Sequence, residues 1–242
     1  KVQSILVSNI NGLTPNKNNE LSTNEETLNI CINKGKGKLL PLASCLPNNP
    51  KGTKDIEKVL NKNKFYGLKF HPTLTNFPIK NHENAYLKYF ELAQKKNLPC
   101  LFHCASDGFS NPEDIIKLAK KYPKLPVILY HTDLTGNKYK AIDKISEAIN
   151  NKDANLFIDL SWIFDNNLLK YAIEKLGENR IMFGTDIPIA EMGKPENYKK
   201  YIENITVSIN EYFDEKGQQN KIPVATDKIF FENANKLFLN NK

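Results

Sequence analysis

Long apolar runs are missing from this chain of 242 residues, and none approaches the ~18 residues that a membrane-spanning helix needs. A membrane role is therefore not expected. The early apolar segment SILVSNI is too short for a secretory leader and lacks a small-residue cleavage site, so a cytoplasmic protein is expected. Cysteine is scarce as well. Cys31, Cys45, Cys100 and Cys104 fit no CxxC zinc spacing and are too few for a disulfide scaffold in a chain this long. Free, buried thiols in a reducing compartment are the consistent reading. Arginine is far outnumbered by lysine. The net charge of +7 is spread over helix surfaces (Lys58, Lys88, Lys120, Lys170), without an Arg-rich run or interleaved stacking aromatics. Nucleic-acid binding is excluded on that ground. Low-complexity tracts, internal repeats and long linkers are absent too. The 40% hydrophobic content is ample for a core, and one domain over residues 1–242 is expected.

What is present is an alternating rhythm. Apolar runs of strand length fall at about 4–10, 38–46, 67–71, 100–104, 127–132, 155–161 and 181–187. Amphipathic helical patterns separate them. Thr23-Asn24-Glu25-Glu26 matches a capping box that opens a helix to about Lys34. Further helices are read over 53–63, 84–96, 112–122, 140–150 and 166–176, the last closed by Gly177. Two more trail the last strand, at about 196–215 and 227–239, the second capped by Thr226 and Asp227. Near-continuous apolar strands covered on both faces, in strict βα alternation, predict a parallel sheet with right-handed crossovers.

Several strands end on a residue able to hold a metal or a proton. FYGLKFH ends at His71, LPCLFH at His103, PVILYH at His131, NLFID at Asp159 and RIMFGTD at Asp186. Each lies about one strand, one helix and two loops beyond the last. A cluster of side chains at the ends of consecutive βα units is how a (β/α)8 TIM barrel builds a site. Alternation along a strand puts Lys69 and His71 on one face, which in a barrel is the interior. Neutral imidazoles and a carboxylate converging there suit Zn²⁺ or a similar divalent ion, whose bound water would become a nucleophile near neutral pH. Asp159 reads as a capping or supporting group, Trp162 as a wall of the pocket or core, Asp133 as a helix-start residue and His82 as surface.

GLKFHP, LFHCA, ILYHTDLTG, IMFGTDIPI and the closing IFFENANKLF together resemble the amidohydrolase superfamily, in its amidohydrolase-related branch of TIM-barrel metal hydrolases and decarboxylases. The resemblance covers about residues 3–239. It implies His103 as metal ligand, His131 as acid/base or ligand, and Asp186 as metal ligand and proton shuttle. Lys69 and His71 match a position that lines the substrate pocket. The cofactor implied is a divalent metal, zinc first and manganese second, and relatives of this kind commonly form homodimers. The leading function is a metal-dependent hydrolase of an amide, ester or lactone in a small molecule. The alternatives are non-oxidative decarboxylation of an aromatic or enoic acid, and a metal-free, non-catalytic relative. One departure stands out: the branch carries an HxH pair on its first strand, and these residues hold none. Seven strands are read where a closed barrel has eight, so a strand bearing that pair is expected before Lys1. Substrate choice falls to loops 11–22, 72–82, 104–111 and 187–197.

Overall fold

The computed structural model describes residues 4–9, 20–187 and 194–239. Its strands are β1 (Ile5–Val7), β2 (Leu39–Pro41), β3 (Ala43–Ser44), β4 (Leu68–Phe70), β5 (Cys100–His103), β6 (Pro126–Tyr130), β7 (Asn155–Asp159) and β8 (Ile181–Met182). All the pairings are parallel, in two ladders, β1–β2 and β3–β4–β5–β6–β7–β8. The stretch read as one strand over 38–46 is thus two short ones. Leu42 sits between them, so the first half pairs with β1 and the second with β4. This break between neighbours has no trace in the apolar pattern. The architecture is the α/β barrel type, with seven strand positions among the described residues.

The helices alternate with the strands: α1 (Glu20–Gly35), α2 (Lys54–Lys62), α3 (Pro72–Thr75), α4 (Glu83–Lys96), α5 (Pro112–Lys120), α6 (Lys138–Asn150), α7 (Asn166–Leu176) and α8 (Pro195–Glu215). Then come α9 (Ile222–Asp227), a π-helical segment (Lys228–Glu232) and α10 (Asn233–Phe238). Two expected helix starts are displaced. The helix with the capping box already begins at Glu20, because Glu20 is anchored in the interior by hydrogen bonds from Leu46 N and Tyr89 OH. Thr226 does not cap a helix; its hydroxyl donates back to Ile222 O within α9, which continues into the π-helical segment. Among the described residues no helix is long and apolar enough to cross a membrane.

Strand alternation divides the core in two. The ladder registers Lys69↔Leu101, Leu101↔Ile128 and Ile128↔Phe157 run across the inner face. Leu42, Leu101, Ile128, Phe157 and Met182 make the inner cluster, joined by Leu237 and Phe238 of α10. The alternate residues Leu68, Phe70, Cys100, Phe102, Val127 and Leu129 face the helices in the larger outer cluster. Asn233 fixes α10 by donating to the carbonyls of Glu178 and Ile181. The four cysteines are free and buried, as expected.

Candidate functional site

The inner face turns polar at the C-terminal ends of the strands. Lys69 lies on β4, one residue from its end, and its side chain is buried at 4% exposure. Its ammonium nitrogen lies 3.6 Å from the centre of the Tyr130 ring. It has no hydrogen bond to any described residue, and the charged form is held by that ring and by the fields of Asp159 and Asp186. Burial outweighs these carboxylates and draws the amine down to about 7. A lysine with that value exchanges its proton near neutral pH.

Three histidines share the same end. His71 follows β4 and caps α3, with Nδ1 accepting from Leu74 N at 3.3 Å. Its ring stacks on His103, centroids 3.9 Å apart, and His103 meets His131 edge-on at 5.0 Å. All three are uncharged at neutral pH. Burial and then the neighbouring His103 and Lys69 bring His71 to about 2. Burial and Lys69 bring His103 to about 4 and His131 to about 2.

Asp159, at the end of β7, is a supporting group, as its place in the sequence suggests. It accepts from the backbone N–H of His131 at 2.8 Å and from the Ser161 hydroxyl at 2.8 Å, and Ser161 Oγ lies 2.7 Å from His131 Nδ1. Gly184 is required opposite it, since a Cβ there would collide with the Asp159 carboxylate. Burial pushes Asp159 up to about 6, against its hydrogen bonds and Lys69. Tyr130 and Ser161 were missed. The signal that could have found Ser161 is the D-x-S spacing, which puts Asp159 and Ser161 on one strand face.

Asp186 lies beyond β8, partly exposed. Its Oδ2 accepts from Trp162 Nε1 at 2.9 Å, which gives Trp162 a polar task besides walling the pocket. Asp133 lashes two tip loops together by accepting from Ser106 N and Oγ and from Gly136 N. His82 stacks on Phe77 away from this cluster. Four residues here take left-handed backbone: His131 (φ 67°), Thr132 (φ 64°), Trp162 (φ 62°) and Asp186 (φ 58°). Such conformations cost about 1 kcal/mol or more for residues other than glycine, and they collect at functional sites. Lys138 holds the bend after β6 by donating to the carbonyls of His131 and Asp133.

Of the loops expected to choose the substrate, 11–19 and 188–193 lie outside the described residues. The 72–82 loop contains α3. The 104–111 loop is tied to it through Asp107, which accepts from Thr73 and from the backbone of Phe109 and Ser110.

The donor chemistry suits a divalent ion, because neutral imidazoles and carboxylates face one interior. The gathering falls short: among the described residues no three His, Cys, Asp or Glu side chains are grouped to hold a metal. The histidines lie around Lys69, and Asp186 faces Lys69, Tyr130 and Trp162.

An amidohydrolase family model matches residues 19–239. No curated protein sequence matches the chain. Among solved structures, it is similar to a 5-carboxyvanillate decarboxylase from Sphingomonas paucimobilis, with TM-score 0.67 and 15% identity over 97% of this chain and 78% of that one. A 5-carboxyvanillate decarboxylase from Novosphingobium aromaticivorans with bound manganese gives TM-score 0.62 and 13% identity over 90% and 70%. A dihydroxybenzoic acid decarboxylase from a Polaromonas species, with bound manganese and the inhibitor 2-nitroresorcinol, gives 0.63 and 17% over 100% and 79%. Likeness at these identities shows the fold.

Proposed function

The chain belongs to the amidohydrolase family, and from that premise we propose that it is an enzyme releasing CO₂ non-oxidatively from a small aromatic or enoic acid. The observation that carries this reading is the Lys69 amine, buried over the Tyr130 ring among three uncharged histidines and without a hydrogen bond to any described residue. The overall change replaces a carboxylate by a hydrogen: RCOO⁻ + H⁺ gives RH + CO₂. It needs a seat for an anion, a proton delivered to carbon, and no attacking water. Lys69 in its ammonium form seats the carboxylate. The Tyr130 ring beneath it offers an aromatic wall to a planar substrate. Near neutral pH the same lysine holds or releases a proton at Nζ. His103 and His131, 8% and 3% exposed, line the same interior. The resemblance to decarboxylases supports this reading over hydrolysis.

A divalent ion, manganese as in two of those solved structures or else zinc, belongs to the proposal, with His103 and Asp186 as the side chains of this chain that would hold it. When bound, it would stabilise negative charge on substrate oxygens. Hydrolysis of an amide, ester or lactone is the second reading. It is favoured by Asp186, a partly exposed carboxylate oriented by Trp162 and able to take a proton from water.

The test incubates the protein with manganese or zinc against hydroxybenzoates, enoic acids, esters, amides and lactones. Expected is CO₂ release with a solvent deuteron in the product at the vacated carbon, lost in Lys69→Met and Asp186→Asn. Ester or lactone cleavage without CO₂ would replace this reading with the second. Failure to retain any metal, together with no turnover on any class, would leave a binding protein.

A further inference from the structure

We propose that Asp159 and Ser161 lock His131 in the tautomer with its proton on Nδ1, so that the imidazole presents a bare Nε2 to the site, while His71 is held in the opposite tautomer. The argument is a count of protons. A serine hydroxyl has one proton to give, and a carboxylate has none. Ser161 Oγ lies 2.8 Å from both Asp159 oxygens, and Asp159 Oδ1 already accepts the His131 backbone N–H. The serine proton is therefore donated to Asp159. What Ser161 turns to His131 Nδ1, at 2.7 Å, is a lone pair, so Nδ1 must carry the hydrogen. A neutral imidazole carries only one N–H, which leaves Nε2 unprotonated.

At His71 the count runs the other way. Nδ1 accepts the Leu74 N–H at 3.3 Å, so the proton sits on Nε2. The stack His71–His103–His131 thus has a hydrogen-bond donor at one end and an acceptor at the other.

This goes beyond the proposed decarboxylation and rests on it only for the role of the site. His131 starts the cycle as an acceptor and cannot be the resting acid. Ser161 touches no reacting atom; it is a positioning residue, and Asp159 positions it.

The chain has four histidines, so imidazole ¹⁵N spectra are tractable, with His131→Gln and His71→Gln assigning the signals. Expected in the unmodified protein are Nδ1–H at His131 and Nε2–H at His71. Ser161→Ala should let His131 populate Nε2–H, and Ser161→Thr should restore the original spectrum. Asp159→Asn is a second route: its amide donates to Ser161 Oγ, the hydroxyl turns to Nδ1, and the tautomer inverts. An Nε2–H signal at His131 in the unmodified protein would overturn the proposal, as would a tautomer unmoved in folded Ser161→Ala and Asp159→Asn. Because the spectra need no substrate, they stand even if no decarboxylation is found. With turnover in hand, Ser161→Ala should lower kcat about tenfold or more and leave KM nearly unchanged.

Discussion

Around Glu20, on α1, the side chains of Glu20, Asn24 and Tyr89 all have hydrogen-bond partners, while Asp55 Oδ1 and Asn48 Oδ1 nearby have none among the described residues. The two carboxylate oxygens take hydrogen bonds from Leu46 N at 2.8 Å, Tyr89 OH at 2.9 Å and Asn49 Nδ2 at 3.0 Å. One turn on, Asn24 donates to the carbonyls of Glu20 and Ser44 and accepts from Ser44 N. Around Lys69 the interior is equally polar and equally buried, yet it is left open. Among the described residues the amine has an aromatic face in place of an acceptor, and the buried Thr132 hydroxyl has no partner. The backbone is left-handed at four tip residues near Lys69 and at none of Glu20, Asn24, Ser44, Leu46, Asn49 or Tyr89. A buried polar cluster that satisfies itself holds elements together, whereas one with spare valence is available to a ligand.

The sharpest way to break this contrast is to exchange a key group in each cluster. Lys69→Met should cut turnover by about 10²-fold or more. Its melting temperature should hold or rise, since an unpaired buried amine is exchanged for an apolar chain of similar length. If Lys69→Met instead unfolds and its folded fraction keeps full turnover, Lys69 belongs with the structural cluster.

Asn24→Ala should do the reverse. It removes three hydrogen bonds, two of them between α1 and β3, and should lower stability by about 1–3 kcal/mol in denaturant unfolding, with turnover per folded molecule unchanged. Trp162→Phe should be milder, costing roughly tenfold in turnover because Asp186 loses its orienting donor while the ring packing stays.

The smallest effect is in pH. Burial raises Glu20 from 4.5 to about 7, despite the bonds from Leu46, Asn49 and Tyr89. The folded state therefore binds this proton more tightly than the unfolded chain. That contribution is fully present below 4.5 and is lost as pH rises through 7. The buried histidines have the opposite sign: His103, lowered from 6.5 to about 4, contributes stability above 6.5 that is lost as pH falls through 4. Urea unfolding across this range should show the alkaline slope reduced in Glu20→Gln and the acid slope unchanged. An identical slope in both proteins would mean that Glu20 titrates as it does in the unfolded chain.

Strand ends and their inward faces were legible in the sequence because each is set by local alternation. His71, His103, Asp159 and Lys69 emerge from period-two reasoning at the end of an apolar run, whereas alternation from Ile128 turns Tyr130 inward and His131 joins the site through the left-handed turn after β6. Less legible was anything joining residues on different strands. Asp159 serves His131 across the neighbouring strand, and Trp162 reaches Asp186 from another βα unit; neither pairing leaves a local pattern. The break at Leu42 was hidden for the same reason, since the apolar run is continuous while the hydrogen-bond partner changes from β1 to β4.

The left-handed tips bear on how such a protein can vary. At Thr132, Trp162, His131 and Asp186 the backbone conformation is one that glycine adopts freely and a side chain does not. Selection for folding alone would draw these four positions towards glycine, a trade of activity for stability met elsewhere in proteins. A library screened only for thermal survival should therefore erase the tips first, and the positions where glycine is then enriched would trace the functional site with no substrate in hand.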